Sequence, residues 1–246
     1  MGNPFEVHRV EWTREKSSQW WNVLSSHPST DKLYFSRSAG DSLLNFLRAS
    51  HVPIGGRILD FGCGPGYLLE KMLARGIACS GADFSPQSLE AVKKRVGNNP
   101  LFGGVELLNG IPSSLPSKSI DTLFLIETVE HILDDELDAA LGECARLLKP
   151  GGVFIVTTPN EEDLEASEAI CPDCGGIFHR MQHVRRWDRN SLSSLLTKYQ
   201  LDVVLCKAVY LQPTRLRRTL AALVARAIGK RLPHLIYVGR KKTQGI

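Results

Sequence analysis

Short apolar runs alternate with amphipathic stretches along most of the chain. The stretches YLLEKMLARG and SPQSLEAVKKRVG have apolar positions at helical spacing. Strands that alternate with helices indicate an α/β protein, so we expect a doubly wound, mostly parallel seven-stranded sheet with helices on both faces. The seven runs with the length and apolar content of buried strands are RILDFG, IACSGAD, VELLNG, IDTLFLIE, GVFIVTTP, LDVVLCKAVYL and HLIYVGRKK.

Two segments depart from this alternation. Residues 1–55 are rich in aromatic and polar residues, and we predict an N-terminal helical segment that serves as a lid, with Asp41 capping a short helix. Residues 160–189 interrupt the rhythm after the fifth strand, which predicts an insert. The rest of the chain, residues 56–246, is predicted to form one domain.

Charge is distributed unevenly along the chain. The net charge is +4, yet no acidic residue follows Asp202, whereas ten Lys or Arg residues do. A predicted helix over residues 214–231 is basic on its flanks and suits packing on the sheet or a second subunit, or contact with an anionic membrane surface. Its apolar face contains Leu216, Leu220, Leu223, Val224, Ala227 and Ile228.

The sequence predicts a cytoplasmic protein, with peripheral membrane contact as the alternative that the basic helix leaves open. The first residues, MGNPFEVHRV, lack the pattern of a secretory signal, and no run of about 18 apolar residues occurs. Six cysteines in a reducing compartment favour thiols or metal ligands over disulfides. Oligomeric state is left open.

The strongest motif is LDFGCGPG, residues 59–66, which follows a predicted strand and opens a helix. Glycines in this setting permit a tight turn and close approach of a ligand to the backbone. A P-loop requires Gly-Lys-Ser/Thr after the glycines, but Tyr67 and Leu68 follow here. A dinucleotide fingerprint requires its third glycine at position 67, whereas it stands at Gly66. The motif therefore disfavours both phosphate-binding classes.

Four motifs in register over residues 56–160 resemble the class I S-adenosylmethionine-dependent methyltransferases. They are D-x-G-x-G-x-G, Asp83 at the end of the next strand, Asp121 in SIDTLFLIETVEHI, and LLKPGGVFIVTTPN. In style the chain is similar to the methyltransferases of ubiquinone biosynthesis and to the type 11 group. The resemblance implies the Rossmann-like methyltransferase fold and S-adenosylmethionine as the cofactor.

The resemblance also implies roles for individual residues at the carboxyl edge of the sheet. Asp60 would help to hold the methionine ammonium, and Asp83 would accept from both ribose hydroxyls. Phe84 would cover the adenine, and Glu127 would lie beside the sulfonium. The other implied cofactor contacts are Gly62, Gly64 and Gly66 in the loop, Arg37 toward the methionine carboxylate, and Asn109, Gly110 and Ile111 near the adenine, Ile111 standing where the family often has Asp.

The implied reaction is methyl transfer to a small-molecule, saccharide or lipid-linked acceptor, with oxygen as the expected site of attack. An oxygen acceptor loses a proton, and His131, one helical turn after Glu127, is the candidate base. Two alternatives from other classes stay open: a nucleic-acid-binding or RNA-modifying protein, and a non-catalytic subunit that binds S-adenosylmethionine. The basic tail has few interleaved aromatic residues, so no nucleic-acid partner is expected.

The insert contains ICPDCGGIFHRMQH, residues 170–183. Its C-x2-C-x4-H-x3-H spacing predicts a zinc knuckle in which Cys171, Cys174, His179 and His183 complete a closed tetrahedral site, and such a site is structural rather than catalytic. Two alternatives remain. The cysteines could be a free thiol pair, or His183 could belong to the HVRRW segment and face the acceptor.

Overall fold

The computed structural model describes residues 5–211, 219–220, 223–225, 227, 229 and 231–243. The described strands are β1 (His8–Arg9), β2 (Ile58–Phe61), β3 (Cys79–Asp83), β4 (Phe102–Leu107), β5 (Ile120–Ile126), β6 (Leu148–Pro159), β7 (Glu168–Ile170), β8 (Gly176–His179), β9 (Leu201–Val209) and β10 (His234–Lys241). The described α-helices are α1 (Arg14–Ser26), α2 (Phe35–Ala49), α3 (Tyr67–Leu73), α4 (Pro86–Val96), α5 (Asp134–Leu147) and α6 (Arg189–Thr197).

Seven of these strands form the central sheet in the order β4-β3-β2-β5-β6-β10-β9. Strand β10 is antiparallel to both of its neighbours, β6 and β9, and the other described pairs of this sheet are parallel. The predicted mostly parallel seven-stranded sheet is therefore confirmed. The strand order reverses between β2 and β5, and open α/β sheets bind ligands outside the carboxyl ends of the strands at such a point.

Both faces of the sheet are covered, because alternate side chains of its central strands point into two separate apolar clusters. In β5, Phe124 and Ile126 join one cluster, while Leu123 and Leu125 join the other. The first cluster draws in Leu43 of α2, Leu68 of α3 and Val92 of α4; the second draws in Leu141 of α5 and Leu192 of α6.

The N-terminal segment contains two helices, α1 and α2, separated by a 3-10 turn at Pro28–Leu33. Helix α2 begins at Phe35, so the prediction that Asp41 caps this helix is wrong. Asp41 instead lies inside α2 and forms ion pairs with Lys71 of α3 at 2.6 Å and with Arg75, just after the end of α3, at 3.0 Å. These pairs dock α2 against α3.

The insert folds into the β7–β8 hairpin, and β8 also pairs in parallel with β1. The three strands form a small sheet that joins the N-terminal segment to the insert. The predicted basic helix over residues 214–231 falls largely outside the described residues; of its described apolar positions, Leu220, Leu223 and Val224 are exposed. Within the part of the chain that the structure describes, no helix is long and apolar enough to cross a membrane.

The loop glycine Gly66 should not tolerate a side chain. Its φ is +82°, and a Cβ there would lie 2.9 Å from Cγ2 of the buried Val92. We expect Gly66→Ala to lower the free energy of unfolding by roughly 2–4 kcal/mol, from left-handed backbone strain and overpacking. The matched control is Gly142→Ala in α5, where a Cβ meets nothing within 4 Å, and it should stabilise by about 0.5–1 kcal/mol. Urea unfolding of both variants measures whether the two changes in the free energy of unfolding have opposite signs.

Candidate active site

The glycine loop connects β2 to α3 at the point where the strand order reverses. Gly62, Gly64 and Gly66 all have left-handed backbone, with φ of 77°, 50° and 82°. The N–H groups of Gly62 and Cys63 donate to the carbonyl of Ala82, which ties the loop to β3. A Cβ on Gly62 would lie 2.8 Å from Thr128, so the loop passes tightly against the segment after β5.

Two carboxylates flank this loop, Asp60, which is buried, and Asp83, which is partly buried. Oδ1 of Asp60 is buried without a hydrogen-bond partner, and neither Asp60 nor Asp83 forms an ion pair with a described residue. Burial, together with the charge of Asp83, raises the pKa of Asp60 to about 8. Asp83 is held in place because its two oxygens accept from the N–H groups of Gly64 and Ser85, both at 2.8 Å. Burial raises the pKa of Asp83 as well.

This arrangement fits S-adenosylmethionine. Asp60 is buried with one oxygen unpaired, and Asp83 is partly buried without a cationic partner, so both carboxylates suit a ligand that brings a cation or hydrogen-bond donors. An ammonium beside Asp60 and ribose hydroxyls beside Asp83 would provide these groups. The glycines of the loop between them have no side chains to block the approach of the ligand to the backbone.

The other predicted cofactor contacts surround the same edge. Phe84 follows β3 with 53% of its surface exposed, as an uncovered ring available to a ligand would be. Asn109, Gly110 and Ile111 follow β4, and the adjoining Leu108 N–H donates to the Asp83 carbonyl at 2.9 Å. Arg37 lies on α2 with its guanidinium 5.8 Å from the Tyr67 ring and 3.5 Å from Asp31. Their contacts with the cofactor stay predictions.

Glu127 stands at the carboxyl end of β5 in a strained backbone conformation. Its φ is +47°, which is uncommon for a residue with a side chain. The backbone is held there because its N–H donates to Thr157 of β6. Its Oε1 is buried without a hydrogen-bond partner, and burial raises its pKa to about 7. Backbone strain and an unpaired buried oxygen are common at active sites, and the predicted place of Glu127 beside the sulfonium stays a prediction.

Three histidines and Glu162 form a cluster next to Glu127. His183 Nδ1 lies 2.5 Å from Oε2 of Glu162, and the ring of His183 stacks on that of His179 at 4.3 Å. The ring of His131 lies 4.8 Å from His183. Burial alone would raise the pKa of Glu162, but hydrogen bonds from His179 and His183 outweigh it and lower the pKa to about 2. Glu162 is therefore an anion that orients the imidazoles.

The backbone fixes the tautomer of His179. Its Nδ1 accepts from the N–H groups of Met181 at 3.2 Å and His183 at 3.1 Å. In a neutral imidazole the hydrogen must then be on Nε2, which lies 3.4 Å from Oε1 of Glu162. Glu162 thus faces the N–H side of both His179 and His183, which leaves the lone pair of His183 on Nε2.

The predicted Cys2His2 zinc site is not assembled. Among the described residues, the groups whose ligand atoms lie within 4.8 Å of one another include His179 and His183 but neither Cys171 nor Cys174. The two cysteines lie in the turn of the β7–β8 hairpin, whereas His179 ends β8 and His183 follows it, turned toward Glu162 and His131. The spacing of the four residues in the sequence is typical of a zinc knuckle, but in the folded hairpin the two cysteines lie apart from the two histidines.

Helix α1 closes over this cluster. The Trp21 indole N–H donates to the side-chain oxygen of Gln182 at 2.8 Å, and the Trp21 ring lies 4.7 Å from His131. Gln182 is fully buried and donates to the carbonyl of His131 at 3.1 Å. The N-terminal segment and the insert therefore both contribute to the acceptor side of the edge.

Sequence reasoning missed several members of the cluster. Glu162 lies in the acidic run EEDLE, which has the composition of a solvated loop. Glu130 lies in the stretch SIDTLFLIETVEHI, in which the sequence pointed only to Asp121, Glu127 and His131. Trp21 and Gln182 show no local signal, because their contact joins positions 161 residues apart.

The comparisons decide the family. A family model described as "Methyltransferase domain" matches residues 34–205. The chain belongs to this family. It is therefore an S-adenosylmethionine-dependent methyltransferase, as its motifs predicted. The matched residues include the glycine loop, Asp83 and the histidine cluster.

Curated relatives include two ubiquinone biosynthesis O-methyltransferases. That of Bradyrhizobium sp. (strain ORS 278) is 31% identical over 148 residues, which cover 60% of this chain and 57% of the relative. That of Cereibacter sphaeroides (strain KD131) is 26% identical over 232 residues, covering 89% of this chain and 91% of the relative. The first match thus spans little more than half of that relative's length.

The fold is shared with solved methyltransferases. An S-adenosylmethionine-dependent methyltransferase from Mesorhizobium loti superposes with a TM-score of 0.60 at 18% identity, covering 81% of this chain and 98% of that protein. At this identity the likeness concerns the fold alone.

Acid should destabilise the folded methyltransferase partly through His131. Burial, then the neighbouring His183, lowers its pKa to about 3. Below the ordinary value of about 6.5 the unfolded chain binds a proton that the folded chain refuses, so stability falls as pH drops, by about 1.4 kcal/mol per pH unit at most. His131→Asn should remove up to ~3 kcal/mol of the loss between pH 6.5 and 4.

Urea unfolding at a series of pH values measures this loss. The control is His51→Asn, an exposed position whose φ of +55° asparagine tolerates. That variant should follow the wild-type pH dependence. An unchanged slope in His131→Asn would contradict the assignment of the proton to His131.

Proposed function

We propose that this chain transfers the methyl group of S-adenosylmethionine to a hydroxyl oxygen of a small-molecule acceptor. The observation that carries the proposal is the juxtaposition of the glycine loop and its two carboxylates with a buried histidine–carboxylate cluster at the same sheet edge. Methyl transfer to oxygen requires removal of a proton, and imidazoles are the groups best suited to that task near neutral pH. The names of the curated O-methyltransferase relatives support the same atom.

The residues of the loop would hold and orient the cofactor. S-adenosylmethionine, when bound, supplies an electrophilic methyl group on a sulfonium. Asp60 would hold the ammonium and Asp83 the ribose, while Glu127 would face the sulfonium end. Fixing both reactants in line can account for several kcal/mol of the barrier, with a ceiling of about 7–11 kcal/mol.

Residues on the acceptor side of the site would remove the proton of the acceptor hydroxyl. His131, the predicted base, is a weak base because its pKa is about 3. Nε2 of His183 carries a lone pair, because Glu162 holds the opposite side of the ring. Trp21 and Gln182 would exclude water from this space.

Binding and transfer can be tested separately. Calorimetry with S-adenosylhomocysteine should show one site per chain, and its absence would overturn the cofactor assignment. Radiolabelled S-adenosylmethionine is then incubated with matched pairs of small molecules that carry either a hydroxyl or an amine on the same skeleton. We expect label only on hydroxyl members; label confined to amines would overturn the oxygen assignment.

The location of the enzyme is a separate proposal. We infer a cytoplasmic protein whose basic segment over residues 214–231 contacts anionic membranes, supported by the charge asymmetry of the sequence. Sedimentation with vesicles that contain an anionic lipid should retain the chain at low salt and release it at high salt. Equal binding to neutral vesicles would contradict an electrostatic contact.

A further inference from the structure

A cavity lies at the amino end of the central sheet, away from the glycine loop. Its volume is about 370 Å³, which is within the range of pockets that bind small organic molecules. Lys118 precedes β5 and Lys241 ends the antiparallel β10, so both line the cavity at this end of the sheet. The cofactor edge is at the other end of β5, a strand of seven residues and therefore roughly 23 Å long.

The lining of this cavity is strongly basic. No Asp or Glu belongs to it, although both types are common in the rest of the chain. Five lysine or arginine side chains line the cavity: Lys118, Arg146, Lys198, Lys241 and Lys242. A cavity with charges of one sign concentrates ions of the opposite sign.

Only two of the five cations are matched by carboxylates of the described chain. Arg146 pairs with Glu143 at 2.7 Å, and Lys242 lies 3.4 Å from Asp202. Within the described ranges, the three other lysines of the cavity form no ion pair with an Asp or Glu side chain. The cavity therefore has positive charge that the protein itself does not neutralise.

Two of these three lysines act on each other. Lys241 is half-buried, and its Nζ donates to the carbonyl of Tyr199 at 2.8 Å. Burial lowers the pKa of Lys241, and the charge of Lys118 lowers it further. Because like charges repel, an anion bound between the two ammonium groups would stabilise both.

The ends of helices α5 and α6 at this cavity offer another explanation for the lysines, since cations are favourable near the carboxyl end of a helix. The last carbonyls of α5 are already occupied, however. Those of Arg146 and Leu147 accept from the backbone N–H groups of Lys118 and Ser119, at 2.8 and 2.9 Å. The ammonium of Lys118 is therefore not needed to cap this helix.

We propose that this cavity binds a small organic molecule that carries two or more phosphate groups. Ammonium groups are compact charges with three donors each, so several of them around one cavity suit a chain of phosphates. Apolar atoms of Ala145, Leu148 and Pro150 also line the cavity and suit the organic part of the ligand. The site lies at the opposite end of the sheet from the methyl-transfer site, and it does not depend on the proposed function.

The test is calorimetry of the full chain with pyrophosphate and with ADP at low salt. We expect one molecule of either per chain, ADP bound at least as tightly as pyrophosphate, and weaker binding as salt is added. Lys118→Asn should weaken the binding of both about fivefold or more. Asparagine suits the φ of +51° at this position, so the variant should fold. Lys241→Met, which keeps the length of the stem, is the second variant and should weaken binding similarly.

The matched control is Lys94→Gln, which removes the charge of an exposed lysine on α4 and should leave both affinities unchanged. Saturating S-adenosylhomocysteine should not displace either probe. The proposal would be overturned by a wild-type chain that binds neither probe, by ADP that binds more weakly than pyrophosphate, or by displacement with S-adenosylhomocysteine. Equal weakening in Lys94→Gln and Lys118→Asn, or binding of single-stranded RNA without binding of ADP, would also overturn it. Circular dichroism identifies a variant that fails to fold, and the other variant then decides the outcome.

Discussion

Replacement of Asp83 by alanine is expected to weaken S-adenosylhomocysteine binding at least 100-fold. In the folded chain the carboxylate accepts from the N–H groups of Gly64 and Ser85, both at 2.8 Å. Its removal leaves these two donors unpaired and takes away the acceptor for the ribose hydroxyls. Hydrogen bonds to a charged group contribute about 1.5–3 kcal/mol each, so the loss of two corresponds to roughly two to four orders of magnitude.

The matched control for Asp83 is Asp121→Ala. Asp121 is also an aspartate of the parallel sheet, but it lies near the amino end of β5, where it binds Lys149 at 2.7 Å and the N–H of Arg57 at 2.8 Å. Its loss should lower stability slightly and leave affinity unchanged by calorimetry. If both variants bound S-adenosylhomocysteine equally weakly, Asp83 would affect binding only through the stability of the fold.

Glu162→Gln is expected to lower kcat roughly 100-fold while S-adenosylhomocysteine binding stays unchanged. The carboxylate accepts the N–H of His183, and its other oxygen lies 3.4 Å from Nε2 of His179. A glutamine amide has only one acceptor oxygen, so its NH2 group must face one of the two imidazole donors. The imidazole of His183 then loses its fixed orientation and tautomer, which proton transfer would require.

Two measurements separate this effect from a loss of structure. Nitrogen-15 spectra of the imidazoles should show Nδ1–H on His183 in the wild type and a mixture of tautomers in Glu162→Gln. The control is Glu161→Gln, a neighbouring carboxylate that is 42% exposed and lies 3.3 Å from Arg231. Wild-type kcat in Glu162→Gln would remove Glu162 from the reaction.

The cofactor half of the site could be read from the sequence because its signals are local. The strand before LDFGCGPG and the helix after it fix where the glycines stand, and Asp83 ends the next strand, so parallel pairing brings both carboxylates to one edge. The seven strands were predicted for the same reason. The start of α2 was predicted wrongly, because Asp41 forms ion pairs with Lys71 and Arg75 and does not cap a helix.

The acceptor half could not be read in this way because its contacts join distant parts of the chain. Glu162 follows β6, His183 follows the hairpin and Trp21 belongs to α1, and nothing in the local pattern of these segments requires them to meet. The C-x2-C-x4-H-x3-H spacing pointed to a zinc site because it counts residues along one segment. In the fold, β8 separates the cysteines from His183, and Glu162 and His131 hold that histidine instead.

The position of β10 has a consequence for the order in which the enzyme can become active. This strand is synthesised after β9 but lies between β9 and β6, so a nascent chain that ends before residue 234 has an unfilled slot in its sheet. The edges of β6 and β9 that β10 will occupy then have unpaired backbone groups, which can pair with other strands. Since Glu162 follows β6 directly, the acceptor side gains its rigid support only when that slot is filled. Ribosome-bound chains should therefore acquire methyl transfer late in synthesis, only after β10 has been made.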